Sequence, residues 1–108
     1  MGLGVEDFFV TPKNFFAGVQ VDFKDSDYVF LGFPFDLTST YLFGSKKAPE
    51  AVREASLNIE TYSFRSGLSV EDLKIHDVGN LQILEDFNKN FLNLREAVSK
   101  IFGLGKFP

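Results

Sequence analysis

Two aspartates stand within or just after apolar stretches of the sequence, where carboxylates can do chemistry. Asp36 follows "YVFLGFPF", residues 28–35, and Asp77 lies in "DLKIHDVGNL", residues 72–81. The carboxyl ends of parallel strands meet at one edge of a sheet, so the two carboxylates could converge there. Together they could bind a divalent cation or a cationic substrate. Each could instead cap a loop by accepting backbone N–H groups, which is the more common role of such residues.

The other polar residues near these carboxylates add little chemistry. Thr38, Ser39 and Thr40 are expected to satisfy backbone groups of the loop that begins at Asp36. His76, the single histidine, lies inside a predicted strand, where a structural or surface role outweighs catalysis or metal binding. The sequence has no Cys, which removes thiol catalysis and thiolate metal sites. The motifs therefore assign no catalytic and no metal-ligating residue.

Composition and charge exclude several classes of partner. The 108 residues are enough for one domain, and 11 basic against 15 acidic residues give a formal charge of −4 with no basic cluster for nucleic acid. No apolar run approaches the roughly 18 residues of a membrane helix, so no membrane partner is expected. The lack of Cys and of a cationic, apolar leader predicts the cytoplasm.

The elements that would position these residues follow from the apolar patterning. Residues 28–35 predict a strand buried on both faces, in which Gly32 permits close approach of a helix or loop. A helix is predicted to begin at Pro49 and to bury one face, with Arg53 and Glu54 pointing outward. The residues predicted for that buried face are Val52, Ala55, Ser56 and Ile59.

The second half of the chain predicts one more strand and one more helix. Residues 72–81 alternate, as in a strand with one wetter face near a sheet edge. A final helix is predicted from Asp86 to Phe102 and to end at Gly103. Its apolar stripe would consist of Phe87, Phe91, Leu94, Val98 and Ile101. The chain is thus a single α/β domain over 1–108, with an N-terminal arm at 1–27 and a βαβα segment of parallel strands at 28–108.

Two stretches of this chain resemble the opening of a known enzyme family. "FLGFPFDLTSTYLFGSKKAPEAVREAS", together with "DLKIHDVGNL", is similar to the ureohydrolases, the arginases and agmatinases, and to agmatinases most of all. The resemblance implies a partial three-layer α/β/α fold around parallel strands. It also implies the family reaction, in which two manganese ions activate water to hydrolyse a guanidino group to urea and an amine.

The family's metal ligands do not carry over onto this sequence. They lie in Gly-Gly-x-His, Asp-x-His-x-Asp and Asp-x-Asp-x-x-Asp motifs, and the sequence contains none of these. No cofactor is therefore expected for this chain alone, although manganese serves the full-length family. The strand that often ends in Gly-Asp in the family ends here in Gly79-Asn80. Pocket-rim or scaffold roles, without catalysis, are expected for Asp36, Thr38, Ser39, Thr40, Gly44, Arg53 and Asp77.

These expectations lead to two readings of function. The chain is either the N-terminal part of an agmatinase-like ureohydrolase, inactive alone, or a non-catalytic binding or assembly module built on the same scaffold. In the family that the chain resembles, the first strand lies between the second and the third. The resemblance therefore implies that the third-strand side of the strand at 28–35 is here an unpaired edge flanked by Phe side chains. We therefore expect self-association, most simply a two-fold dimer, or a second chain that completes the sheet.

Overall fold

The computed structural model describes residues 8–35, 47–58, 62–63, 67–69 and 72–108. The sheet and helices within those residues are β1 (Phe9–Val10), β2 (Tyr28–Gly32), α1 (Ala48–Ser56), β3 (Tyr62–Ser63), β4 (Leu68–Ser69), β5 (Ile75–Leu81) and α2 (Phe87–Gly103). Two short 3-10 turns, Phe16–Gly18 and Phe23–Asp25, lie in the N-terminal arm. β3 and β4 form a separate antiparallel pair.

The parallel pairing expected from the sequence is confirmed for β2 and β5. Their register runs from Tyr28 opposite Ile75 to Gly32 opposite Asn80, with a shift between Phe30 and Leu31. Parallel neighbours need a crossover connection, and α1 lies in the crossover between these two strands. β2 ends at Gly32, three residues before the predicted end of this strand.

β5 lies at the centre of the three-stranded sheet, so its predicted place near an edge is wrong. Its second neighbour is β1, which pairs antiparallel with it through Phe9 opposite Leu81 and Val10 opposite Asn80. β1, which belongs to the arm, thus pairs with the edge of β5 opposite β2. Five of the seven residues of β5 are buried.

The two helices cover opposite faces of the sheet. Val29 belongs to a buried cluster with Phe23, Val78 and Ile101 of α2. Phe30, which follows Val29, points to the opposite face because side chains alternate along a strand. There it stacks on Phe16, with ring centroids 4.3 Å apart. The Arg53 guanidinium of α1 lies 5.3 Å from the same Phe30 ring. The described residues therefore form three layers, α/β/α, as predicted.

α1 is rotated relative to the orientation that its apolar residues predicted. Val52 and Ala55 are exposed, whereas Arg53 and Ser56 are buried, so the outward position predicted for Arg53 is wrong. Ile59, predicted for the same face, lies outside the described residues. The physical reason is that polar partners for Arg53 are present beneath the helix, as the next subsection describes.

The close approach predicted at Gly32 is confirmed. A Cβ on Gly32 would clash with the Asn80 side chain and lie 2.7 Å from Cβ of Pro49. Pro49 occupies the first turn of α1, as predicted. The start of α1 therefore rests directly on the end of β2.

α2 begins where the sequence predicted, and the end of its predicted apolar stripe is buried. The first turns of the helix are more exposed than predicted. The Asp86 carboxylate caps the helix by accepting N–H groups of Asn88 and Lys89. Ile101 is fully buried, whereas Phe87 and Phe91 of the predicted stripe are 46% and 43% exposed. Neither α2 nor any other helix in the described ranges is long and apolar enough to cross a membrane.

α2 ends at Gly103, as predicted, but the glycine in the left-handed conformation that follows the helix is Gly105. Gly105 has a φ of +81°, and its N–H donates to the Phe102 carbonyl at 3.0 Å. The Lys106 N–H donates to the Ile101 carbonyl at 3.2 Å. This pair of bonds is a Schellman motif, and it needs a left-handed residue at position 105.

Candidate functional site

The structure brings together two of the seven residues proposed for the pocket rim or scaffold. Arg53 lies on α1 and Asp77 lies on β5, and they are in direct contact. The other five lie outside the described residues: Asp36, Thr38, Ser39, Thr40 and Gly44. The site is therefore built from the contact between Arg53 and Asp77 outward.

Arg53 and Asp77 form a two-pronged buried ion pair. The Arg53 Nε donates to Asp77 Oδ2 at 2.7 Å, and Nη2 donates to Oδ1 at 2.9 Å. Both side chains are 0% exposed. The planar guanidinium matches the two carboxylate oxygens, which makes such pairs shorter and stronger than neutral hydrogen bonds. This contact joins α1 to the central strand of the sheet.

The third nitrogen of the Arg53 guanidinium is also satisfied. Nη1 donates to Glu50 Oε1 at 3.0 Å, one turn earlier on α1, and to Asn80 Oδ1 at 2.5 Å on β5. Phe30 lies beneath the guanidinium plane and supplies an aromatic face for the cation. In the described part of the chain, every buried side-chain nitrogen and oxygen has a hydrogen-bond partner. A buried charge is tolerated under these conditions.

The Asp77 carboxylate accepts four hydrogen bonds from the residues that the structure describes. Two come from Arg53, one comes from the Phe16 N–H at 3.0 Å, and one comes from the Gly79 N–H at 2.9 Å. The Phe16 bond ties the N-terminal arm to the same carboxylate. Of the two roles considered for Asp77, the geometry matches the acceptance of backbone N–H groups. Its oxygens face Arg53 and the backbone, an arrangement that does not fit a metal ligand.

The donor set of the described residues does not fit the manganese pair that the family resemblance implies. Among the ranges given above, no three His, Cys, Asp or Glu side chains converge on a point that could hold a metal ion. Asp36, the other carboxylate considered for a cation, lies outside those ranges. No catalytic step is therefore assigned to Arg53 or Asp77.

Gln20 secures the outer edge of β5 beside Asp77. Its side-chain Oε1 accepts the Asp77 N–H at 2.8 Å, and its Nε2 donates to the Asp77 carbonyl at 3.2 Å. The amide thus pairs with β5 as a neighbouring strand would. Next to it, Nδ1 of His76 lies 2.7 Å from the Val21 carbonyl, and because a carbonyl only accepts, His76 donates. His76 therefore has a structural contact, as the sequence predicted.

A cavity of about 280 Å³ lies beside this part of β5. Its polar lining comes from Gln20, His76 and Asp77, whose contacts have just been described, and from Thr11. Phe9, Pro12, Phe15 and Val78 form the apolar wall. The cavity lies between the arm and the sheet.

Sequence reasoning missed Gln20, Phe16 and Asn80 as members of this network. Their contacts span 27 to 61 positions along the chain, so no local pattern reveals them. The burial of Arg53 had a signal, because Pro49, Arg53 and Ser56 share one helical face at spacings of four and three. Asp77, a carboxylate inside a predicted strand, was the matching acceptor.

Comparison with protein-family models places most of the chain in one family. The model of the Arginase family matches residues 26–108, which include β2, α1, β5 and α2. The match begins at Ser26, immediately before β2. Arg53, Asp77 and Asn80 all lie inside the matched region, whereas Phe16 and Gln20 lie in the arm that precedes it.

Two curated relatives and one solved structure agree with that match. The chain is 41% identical over 63 residues to an agmatinase of Pyrococcus horikoshii, covering 58% of this chain and 22% of the relative. It is 33% identical over 87 residues to an agmatinase of Bacillus anthracis, covering 80% of this chain and 30% of the relative. The agmatine ureohydrolase structure of Thermoplasma volcanium superimposes with a TM-score of 0.76 at 33% identity, over 82% of this chain and 30% of that one.

The chain matches only part of each of these three proteins. The chain spans less than a third of the length of each of the three.

Proposed function

The chain belongs to the arginase family, and from that membership we propose that it forms the N-terminal segment of an agmatinase-like ureohydrolase. The proposed reaction is the hydrolysis of agmatine, or of a related guanidino compound, to urea and an amine. The observation that carries the proposal is the family match over residues 26–108, together with the names of the relatives. The cytoplasm is the expected compartment.

In this proposal the chain contributes scaffold rather than reacting groups. β2 and β5 end at the same edge of the sheet, where ligands bind in open α/β folds. The Arg53–Asp77 ion pair and the Pro49 contact with Gly32 hold α1 against those strand ends. Asp36 and Thr38–Thr40 follow β2 in the sequence, and a pocket-rim role for them is part of the proposal.

Manganese enters the proposal through another part of the enzyme. The two ions would supply a water-derived nucleophile and stabilise charge as the guanidino group is attacked. Because the described residues do not fit a manganese site, the ligands would come from a polypeptide segment that carries the three ligand motifs of the family. The chain by itself is therefore expected to release no urea.

A single-chain chimera tests the proposal without requiring two polypeptides to associate. The segment of the Thermoplasma volcanium agmatine ureohydrolase that this chain covers is replaced by this chain, and urea release from agmatine is measured with manganese. We expect a folded chimera that releases urea, whereas the same enzyme without the segment should release none. This chain alone, assayed identically, should also release none.

Two outcomes would contradict the proposal. Clear urea release by this chain alone would show that it carries its own chemistry. A chimera that folds cooperatively, binds manganese and still releases no urea would favour the alternative, a non-catalytic binding or assembly module on the ureohydrolase scaffold. The intact Thermoplasma volcanium enzyme serves as the positive control.

A further inference from the structure

α2 presents a stripe of exposed residues on the face that is turned away from the sheet. Leu92, Glu96, Ser99 and Gly103 follow one another at spacings that place them along one side of a helix. All four are exposed. Ile101, on the opposite side of α2, is fully buried in the cluster that joins the helix to the sheet. The stripe therefore faces away from the rest of the described domain.

Two shallow depressions run end to end along this stripe. One has a volume of about 290 Å³ and is lined by Leu92, Arg95, Glu96 and Ser99. The other has a volume of about 420 Å³ and is lined by Glu96, Ser99, Lys100, Gly103 and Leu104. Because they share Glu96 and Ser99, we treat them as one surface, the α2 groove. A Cβ on Gly103 would meet nothing within 4 Å, so the groove is open to the close approach of another helix.

The α2 groove combines apolar surface with unpaired charge. Leu92 and Leu104, near its two ends, are 57% and 47% exposed. Glu96 and Lys100 lie between them, one turn apart, and both are exposed. Within the part of the chain that the structure describes, neither charge belongs to an ion pair. Both charges are therefore available to a partner.

The order of these groups along α2 makes the groove complementary to itself. Leu92 and Leu104 are equally far in sequence from Val98, and so are Glu96 and Lys100. When two copies of α2 lie antiparallel around a two-fold axis at the level of Val98, Leu92 faces Leu104 of the second copy and Glu96 faces Lys100 of the second copy. The two-fold axis repeats each contact. Parallel packing would instead oppose Glu96 to its own copy, and like charges repel.

An exposed aromatic ring adds a third contact to the same arrangement. Arg95 and Phe102 are seven positions apart, so they lie on one flank of the stripe. The two-fold axis places equal flanks of the two helices side by side, which brings the Arg95 guanidinium near the Phe102 ring of the second copy. That ring is 71% exposed in the isolated chain. A guanidinium over an aromatic face is a favourable contact.

We propose that the α2 groove is a self-complementary interface through which two copies of this chain associate, with their α2 helices antiparallel. The inference goes beyond the proposed function, because it concerns association and does not depend on the reaction. Stable interfaces bury about 1,200–2,000 Å² in total, and one pair of helices of this length covers less, so the dimer is weak and dissociates on dilution. The charge pairs determine the direction and register of the two helices, and the leucines provide apolar contact.

Charge reversal within the groove tests the proposed pairing. Sedimentation equilibrium of the wild-type chain over a series of concentrations should show a monomer–dimer equilibrium. Glu96→Lys opposes two cations across the interface, and Lys100→Glu opposes two anions, each at two symmetry-related places. Either variant alone should weaken the dimer by about tenfold or more. Leu92→Glu, which charges an apolar end of the groove, should weaken it similarly.

A mixture of the two charge variants separates contacts between copies from effects within one helix. In a dimer of one Glu96→Lys chain with one Lys100→Glu chain, both cations of the first face both anions of the second. The mixture should therefore form a heterodimer at concentrations where each variant by itself is monomeric. Interaction between positions 96 and 100 of the same helix cannot produce this result, because each variant keeps two like charges on its own helix.

Matched controls make the same charge changes away from the groove. Glu54→Lys lies on α1 and Lys24→Glu lies in the N-terminal arm, both at exposed positions. Each should dimerise as the wild type does, which separates a specific contact from the effect of net charge. Circular dichroism and urea unfolding of every variant establish that it folds. Leu92→Glu keeps the test decisive if a charge variant does not fold.

Three results would overturn the inference. The first is a wild-type chain that stays monomeric at every concentration measured. The second is a dimer that Glu96→Lys, Lys100→Glu and Leu92→Glu leave unchanged, which would assign association to another surface. The third is a mixture of the two charge variants that remains monomeric although each variant is folded, because antiparallel pairing requires the heterodimer.

Discussion

At the scale of single residues, the most consequential feature is the ion pair between Arg53 and Asp77, because both side chains are fully buried. Desolvating two ions costs several kcal/mol each, and only good geometry and complete hydrogen bonding offset that loss. Arg53 and Asp77 meet both conditions, because each polar atom of the pair has a partner in helix, strand or arm. Asn80 accepts from Arg53 through its amide oxygen. The pair therefore specifies how α1 sits on the sheet.

Removal of the arginine should destabilise the protein far more than removal of an exposed one. Arg53→Met leaves the Asp77 carboxylate buried without its cation, and we expect the free energy of unfolding to fall by about 3–5 kcal/mol. Arg53→Lys should recover only part of this loss, because an ammonium cannot make the two-pronged contact. Urea unfolding followed by circular dichroism measures both changes.

Arg95→Met is the matched control for the arginine prediction, because Arg95 is exposed on α2. It should change the unfolding free energy by less than about 0.5 kcal/mol. Equal effects at positions 53 and 95 would mean that the ion pair does not hold α1 against the sheet.

At the scale of secondary-structure elements, side-chain amides and glycines define where elements begin and end. Asn90 of α2 is fully buried, accepts the Leu84 N–H at 2.7 Å and donates to the Leu84 carbonyl at 2.9 Å. Gln20 pairs with both backbone groups of Asp77 in the same way. Each amide satisfies backbone groups that no neighbouring strand or helix reaches, which allows these segments to be buried.

The two glycines near the end of α2 should respond in opposite directions to alanine. Gly103 lies inside the helix, and a Cβ there meets nothing within 4 Å, so Gly103→Ala should stabilise the protein by about 0.5–1 kcal/mol. Gly105 has a φ of +81°, so Gly105→Ala should destabilise it by about 1–2 kcal/mol. Thermal unfolding of the two variants side by side measures the difference. If both substitutions stabilised the protein, the Schellman motif would not be what ends α2.

At the scale of the whole molecule, the N-terminal arm belongs to the core of the domain. Phe23 is buried in the cluster with Val29 and Ile101, and Phe16 stacks on the opposite face of the sheet. Between them, the Ala17 N–H donates to Ser56 Oγ at 2.7 Å, which ties the arm to the end of α1. The arm therefore contacts both faces of the sheet as well as the side of β5 opposite β2.

Deletion of residues 1–27 should abolish the cooperative unfolding of the remaining chain. It removes two packed Phe side chains, each worth about 3–5 kcal/mol in a core, against a total stability of about 5–15 kcal/mol for a domain. Urea unfolding of residues 28–108 should show a broad transition with a low midpoint. The Lys24→Ala variant, altered at an exposed position of the arm, should unfold as wild type does. A truncated chain with an unchanged midpoint would show that the arm is dispensable.

Much of the architecture could be predicted because it depends on local patterning. The apolar run at 28–35 indicates a buried strand, Pro49 marks the first turn of α1, and Asp86 caps α2. The parallel relation of β2 and β5 follows from a helix between two strands, and similarity to the ureohydrolases indicates the three layers. The strand, the helix start and the helix cap depend on propensities that act over a few residues, whereas the three layers were implied by the family resemblance.

The sequence by itself determined the strands β2 and β5, the helices α1 and α2, and the family to which they belong, whereas β1, β3 and β4 were not predicted. Tertiary structure alone decided that Arg53 faces inward, that β5 is central, and that Asp77 accepts from arm, helix and strand together. The physical reason is that a charged side chain turns inward only where a group of opposite charge lies in the interior to pair with it. That partner is supplied by chain folding over long separations, which local hydrophobic periodicity does not encode.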